Sequence, residues 1–145
     1  MKYALALWAA LCAPPVAAGP DAVSLLLGAH HLGADGFEDF VPGVFLTWDR
    51  QVDVTVGAFR NSYGEASASL TGAVDLFDWS GGAAQAFGGL AYYDNAETIT
   101  DFRVGDFVPL LGLQLRQGPV FAQVIPLDGT PVDGIVTLGV VLPLD

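Results

Sequence analysis

Apolar and polar residues alternate along short segments of this chain. Val52, Val54 and Val56 occupy every second position, and Asp53 and Thr55 lie between them. The same pattern recurs in residues 66–77, 106–116 and 135–142. A period of two residues is that of a β-strand with one apolar and one polar face. These segments are therefore predicted to be strands of an amphipathic sheet.

Turn-forming residues divide the chain into eight candidate strands. Gly, Pro, Asn and Asp cluster between the apolar segments, as they do at reverse turns. The predicted strands are residues 22–31, 43–49, 51–62, 66–77, 84–93, 106–116, 120–126 and 135–142. No segment shows convincing helical periodicity, and eight strands are enough to close a barrel. We therefore predict an all-β fold, an eight-stranded antiparallel up-and-down β-barrel.

Composition indicates which face of this barrel points outward. Hydrophobic residues make up 52% of the chain and charged residues only 14%. The outer surface of a soluble barrel needs many charges, whereas a transmembrane barrel turns its apolar face to lipid and its polar residues to the lumen. The sequence therefore predicts a transmembrane β-barrel. A soluble periplasmic barrel that holds an apolar ligand is the alternative.

The first residues have the pattern of a secretory signal peptide. Lys2 precedes an apolar stretch at residues 4–13, and small residues lead up to Ala18. A lipoprotein signal with Cys12 as the lipidated residue is the alternative. The predicted organisation is a signal peptide at residues 1–18 and a single β-barrel domain at residues 19–145. Together with the barrel, the leader predicts export to the outer membrane of a Gram-negative cell.

Charge and residue types exclude several classes of function. The chain has 16 acidic against 5 basic residues, a net charge of −11, and such a surface repels nucleic-acid phosphates. One cysteine and two histidines argue against thiol catalysis and against most transition-metal sites. We therefore expect no metal, no cofactor and no nucleic-acid partner. The expected protein is a monomer whose partner is lipopolysaccharide or phospholipid.

Two groups of residues carry possible chemistry, His30-His31 and the segment Arg60-Asn61-Ser62-Tyr63. Strands one and three of the predicted barrel both end at the extracellular rim, so the two groups lie at the same end. A histidine base and a serine hydroxyl are components of nucleophilic acyl chemistry. We therefore predict that His31 and Ser62 are catalytic. Arg60, Asn61, Tyr63 and His30 are predicted to bind lipid or phosphate.

Strand parity predicts how these side chains are oriented. Ser62 and Arg60 share the parity of the apolar valines and are expected to face lipid, as is His31, whereas His30 is expected to face the lumen. Because strand two lies between strands one and three, the two backbones are roughly 10 Å apart. A direct hydrogen bond between His31 and Ser62 is therefore not expected. A purely structural role for the 60–63 segment, as a strand end and turn, is the alternative.

Taken together, these features resemble a known group of membrane enzymes. The leader, the eight short strands and the histidine pair at the rim are similar to the small lipid A-modifying barrels of Gram-negative outer membranes, the palmitoyltransferases and deacylases. Residues 57–64 resemble a G-x-[YF]-R-N-S-x-G segment of small exported barrel proteins, and the step at residues 41–43 resembles the N-P-G-like step that often accompanies it.

This resemblance implies an acyltransferase or acyl ester hydrolase that modifies the acyl chains of lipid A at the outer leaflet. The alternative is a non-catalytic outer-membrane barrel that binds lipopolysaccharide, cations or a protein partner.

Overall fold

The computed structural model describes residues 18–129 and 132–145. Residues 1–17, which hold almost all of the predicted signal peptide, lie outside the described residues. The described chain forms eight β-strands: β1 (Ala22–Leu32), β2 (Gly43–Trp48), β3 (Asp53–Arg60), β4 (Ala66–Trp79), β5 (Gly82–Tyr92), β6 (Phe107–Gln117), β7 (Val120–Pro126) and β8 (Gly134–Pro143). These bounds lie within two residues of the predicted ones.

The strands close into an antiparallel barrel. Each strand pairs with the next in sequence, and β1 pairs with β8 to complete the cylinder. The predicted all-β fold, an eight-stranded antiparallel up-and-down barrel, is confirmed. Apart from a single 3₁₀ turn at Ala96–Thr98, named η1, the described residues contain no helix. The part of the chain that the structure describes therefore has no helix long and apolar enough to cross a membrane.

The two ends of the barrel differ in the length of their connections. One end, here the long-loop end, carries the connections after β1, β3, β5 and β7; η1 lies in the connection after β5. The opposite end carries the three tight connections after β2, β4 and β6. The C-terminal end of β1 and the C-terminal end of β3 both meet the long-loop end. This topology brings residues 30–31 and 60–63 to the same mouth of the barrel.

Apolar side chains cover the outside of the barrel wall. Val52 and Val56 are 44% and 46% exposed, as expected for an outward row, while Val54 between them is buried. Large exposed apolar residues also occur on the other strands, among them Leu27, Val44, Leu70, Leu76, Leu90, Leu111, Leu113, Leu115, Val124, Leu138 and Leu142. The polar row, which includes Thr55, Ser69 and Thr137, lines the interior instead.

Phenylalanine rings fill part of the interior by packing over glycines. Four cross-strand pairs join one glycine to one phenylalanine: Gly43–Phe59, Phe45–Gly57, Phe87–Gly112 and Phe121–Gly139. A Cβ atom added to any of these glycines would lie within 3 Å of a phenylalanine side chain. Each glycine thus leaves the space that its partner ring occupies, and the rings form an apolar layer inside the barrel.

Polar side chains form a ladder across the interior. Gln85, Gln114, Gln123 and Thr137 face one another on the adjacent strands β5 to β8. Each donates to the next at 2.9–3.0 Å, with Thr137 donating to Gln123 and Gln114 donating to Gln85. Gln85 in turn donates to the carboxylate of Asp53 at 2.9 Å. Because every step has a donor and an acceptor, these polar groups are satisfied inside the barrel.

Candidate functional site

A cavity of about 180 Å³ lies inside the barrel. His31, Phe37, Asn61 and Ser62 line it at the long-loop end, and the phenylalanine rings and the glutamine ladder line the rest of it. Loop residues of the mouth, Ile99 and Val132 among them, also line it; they are 7% and 2% exposed. The candidate residues therefore lie under a covered mouth, in a cavity that both apolar and polar side chains line.

A β-bulge turns His31 into this cavity. The register of β1 against β8 shifts between Leu26 and Gly28, so that one extra residue, Leu27, interrupts the alternation. Leu26 is buried before the shift, and Ala29 and His31 are buried after it. The expectation that His31 faces lipid is therefore wrong, because simple parity does not survive an inserted residue. His31 is 8% exposed and faces the interior.

Ser62 faces the interior because β3 ends before it. The strand stops at Arg60, and residues 61–64 form a turn. Asn61 builds this turn: its Oδ1 accepts hydrogen bonds from the backbone N–H groups of Tyr63 and Glu65 at 2.9 and 3.1 Å. The parity of a strand does not apply to a turn residue, so the expectation that Ser62 faces lipid is also wrong.

Ser62 and His31 are in direct contact. The Ser62 Oγ atom lies 3.1 Å from Nε2 of His31, within hydrogen-bonding distance. The expectation that strand two keeps the pair apart fails because both side chains point inward, where a narrow barrel brings its wall residues together. The other ring nitrogen of His31, Nδ1, is buried and has no hydrogen-bond partner among the described residues. The contact is therefore a serine–histidine pair without an acid on the far side of the ring.

An aromatic side chain packs against the ring of the histidine. The rings of Phe37 and His31 are stacked, with centroids 4.3 Å apart and planes inclined by 15°. Tyr63 packs its ring edge-on against Phe37 at 5.5 Å, and its hydroxyl donates to the carbonyl oxygen of Thr98 in η1 at 3.2 Å. Tyr63 thus connects the Ser62 turn to the loop that covers the mouth.

The other predicted lipid- and phosphate-binding residues are found in two different environments. Arg60 is on the outer surface, where its guanidinium contacts Glu38 at 2.7 and 3.4 Å. His30 is also outside, 71% exposed and 3.4 Å from Asp39, so the expectation that it faces the lumen is wrong. Asn61 is 1% exposed, and its side-chain amide donates to Ser67 at 3.0 Å.

Sequence reasoning did not single out Phe37. This residue is six positions after His31 in a connection without a regular period, so no pattern in the sequence pairs the two rings. The described residues also contain no group of three or more His, Cys, Asp or Glu side chains placed to hold a metal ion.

The comparisons with known proteins leave the chain without an assigned family. No protein-family model matches it, and no curated protein matches its sequence significantly.

Proposed function

We propose that this protein is an outer-membrane β-barrel that hydrolyses or transfers acyl chains of lipid A or phospholipid, with Ser62 as the nucleophile and His31 as the base. The observation that carries the proposal is the 3.1 Å contact between Ser62 Oγ and His31 Nε2 at the mouth of the interior cavity. A serine hydroxyl bonded to a histidine is the minimal pair for covalent acyl chemistry.

The chemistry requires only an ester and an acceptor. Ser62 Oγ attacks the acyl carbonyl carbon while its proton passes to His31 Nε2. The bond to the leaving alkoxide breaks, the alkoxide takes the proton from Nε2, and the acyl group remains on Ser62. Water, for hydrolysis, or an acceptor hydroxyl, for transfer, then attacks the acyl-serine and loses its proton to the same nitrogen. The bond between the acyl group and Ser62 Oγ breaks, and Oγ takes the proton back from Nε2. In each half-reaction, His31 Nε2 thus accepts one proton from the attacking group and gives one proton to the leaving oxygen.

The surroundings of the pair favour a lipid substrate. The apolar outer wall supports a location in a bilayer, because exposed Leu and Val side chains around a barrel are stable against hydrocarbon. Phenylalanine rings line the same cavity as Ser62, so part of an acyl chain could lie against them while its ester stays near the mouth. The net charge of −11 disfavours a nucleic-acid substrate.

The first experiment measures acyl chemistry on Ser62. We expect the purified, detergent-folded protein to release or transfer acyl chains, as detected by mass spectrometry of lipid A and of phospholipid. Ser62→Ala should abolish the mass change, since no other hydroxyl contacts His31 among the described hydrogen bonds. His31→Ala should slow the reaction by about 10²–10⁴-fold, the usual contribution of a general base.

The matched control is Ser69→Ala. Ser69 also lines the cavity, but it lies on β4 and is not bonded to a histidine, so the variant should keep the wild-type rate. A fluorophosphonate probe should label wild-type protein and Ser69→Ala but leave Ser62→Ala unlabelled. Unchanged lipid masses with wild-type protein, or equal labelling of all three, would contradict the proposal.

A non-catalytic barrel is the second candidate function, and the polar contacts of the rim favour it. Arg60, the outward cationic side chain near the site, already has a carboxylate partner in Glu38, and the exposed His30 contacts Asp39. A rim of this kind can bind lipopolysaccharide through bridging cations without chemistry. In that case both alanine variants would leave lipid masses unchanged and alter only binding to lipopolysaccharide.

A further inference from the structure

We propose that an aromatic ring, and not a carboxylate, orients the base of this site: Phe37 holds the His31 imidazole toward Ser62, and the Arg60–Glu38 ion pair holds Phe37 in place. The inference rests on the proposed function and names a positioning device for it. Arg60 then has a structural role, and not the predicted role of binding phosphate.

No carboxylate among the described residues is bonded to Nδ1, the far nitrogen of the His31 imidazole. In a serine–histidine–acid triad, the acid accepts a hydrogen bond from Nδ1 and so fixes the ring and its tautomer. Here Nδ1 is buried without a hydrogen-bond partner in the described chain. The nearest carboxylate at the rim, Asp39, contacts His30 on the outer surface instead. The contact that orients the far side of the His31 ring is therefore not a hydrogen bond to Nδ1.

The stacked rings of Phe37 and His31 restrict the orientation of the imidazole. With planes inclined by only 15° and centroids 4.3 Å apart, the Phe37 ring covers one face of the imidazole. Rotation of the imidazole about its Cβ–Cγ bond would drive an edge of the ring into Phe37, so the face contact restricts that rotation. Tyr63 packs against Phe37 in an edge-on contact. The stack therefore keeps Nε2 of His31 directed at Ser62.

Contacts of the next residue, Glu38, hold Phe37 in place. Its neighbour Glu38 is held twice: its carboxylate accepts from the Arg60 guanidinium at 2.7 and 3.4 Å, and its backbone N–H donates to the carbonyl oxygen of Ser62 at 3.3 Å. Charge-assisted paired contacts of this kind fix position as well as adding energy. Residue 38 is thus tied to the turn that carries the nucleophile, and Phe37, Ser62 and His31 form one unit.

The test compares Phe37→Leu with Phe37→Tyr. Leucine keeps an apolar side chain but removes the flat face, so kcat should fall on the order of tenfold to a hundredfold, the scale of a misplaced catalytic group, with KM unchanged. Tyrosine keeps the face, so it should retain wild-type kcat. A purely space-filling role would not distinguish a planar side chain from a branched one in this way.

The ion pair is tested by charge reversal. Arg60→Glu should lower kcat, and the double variant Arg60→Glu/Glu38→Arg should restore it, because the pair is re-formed with opposite polarity. Asp39→Asn should lower kcat far less than His31→Ala, because Asp39 acts on His31 through its charge and not through a hydrogen bond. A loss with Asp39→Asn as large as that with His31→Ala would overturn the inference, since Asp39 would then be the third member of a triad.

A second readout does not depend on activity. In a His30→Gln background, His31 is the single histidine of the chain, and its imidazole nitrogens can be followed by ¹⁵N NMR in detergent. We expect one set of sharp signals, which Phe37→Leu broadens or averages and Phe37→Tyr preserves. Identical His31 signals and identical kcat in Phe37→Leu would overturn the inference. If the wild-type protein lacks acyl activity, the proposed function fails, and the NMR comparison still decides the role of Phe37.

Discussion

Asp49 is a residue whose ionisation opposes the fold. It follows β2 in a tight turn and lines the cavity at the end opposite the serine–histidine pair. Burial raises the pKa of its carboxyl group, and the carboxylates of Asp53 and Asp21 raise it further; Arg116 and Arg50 only partly offset these effects. The folded protein thus favours the protonated form more than the unfolded chain does.

Asp49→Asn should therefore change stability in a pH-dependent way. At neutral pH the variant should be more stable than the wild type, because it lacks the unfavourable charge. As pH falls through the raised pKa towards the ordinary value of 3.8, the folded wild type binds its proton first and gains stability, so the difference shrinks. Urea unfolding of both proteins in detergent between neutral and acidic pH measures this. A difference that grows on acidification would contradict the argument.

At the scale of elements, the strands depend on the match between glycines and rings. Each of the four phenylalanines of the interior layer faces a glycine on the neighbouring strand. The phenylalanine ring therefore packs directly against the backbone of that strand. The bulge in β1 belongs to the same scale, since one inserted residue moves His31 from the outer wall to the interior. Both features are relations between strands.

Gly139→Ala tests the glycine–ring match. A Cβ at this position would lie 2.4 Å from the carbonyl oxygen of Leu25 and 2.5 Å from the Phe121 ring, closer than real Cβ contacts. Overpacking of this kind costs about 1–3 kcal/mol, which urea unfolding should detect. The matched control is Gly88→Ala, whose Cβ would be 3.5 Å from its nearest neighbour; its stability should change by less than about 1 kcal/mol. Equal losses in the two variants would contradict the explanation.

At the scale of the whole molecule, the outer wall is the feature that connects fold to location. The apolar row lies outside and the polar row inside, the reverse of a soluble barrel. Such a surface is unfavourable in water and favourable in hydrocarbon. The proposed outer-membrane location therefore predicts that a charge on this wall is costly only when the protein is in a bilayer.

Leu113→Arg tests that prediction. Leu113 lies near the middle of β6 and is 54% exposed on the outer wall. In phospholipid vesicles an arginine at the bilayer midplane should cost about 2–4 kcal/mol of unfolding free energy. Val104→Arg, in a loop at the long-loop end and 75% exposed, should cost about 0–1 kcal/mol. If Leu113→Arg unfolds like the wild type in vesicles, the wall does not face lipid.

The barrel could be predicted from the amino-acid sequence alone, because strand periodicity and turn residues are local properties of the chain. Val56 and Thr55 reveal their opposite faces within one strand, and the bounds of all eight strands follow from the same signal. The sequence also placed His31 and Ser62 at one end, since that requires only the order and direction of the strands.

The contact between those two residues could not be predicted, because it depends on how the chain folds in three dimensions. A single inserted residue at Leu27 reverses the face of His31, and the end of β3 at Arg60 frees Ser62 from strand parity. Phe37 reaches the imidazole through the path of a loop. Side-chain direction in a sheet changes sign with a shift of one residue, so an alternating pattern predicts a wall reliably and a site only where the alternation is unbroken.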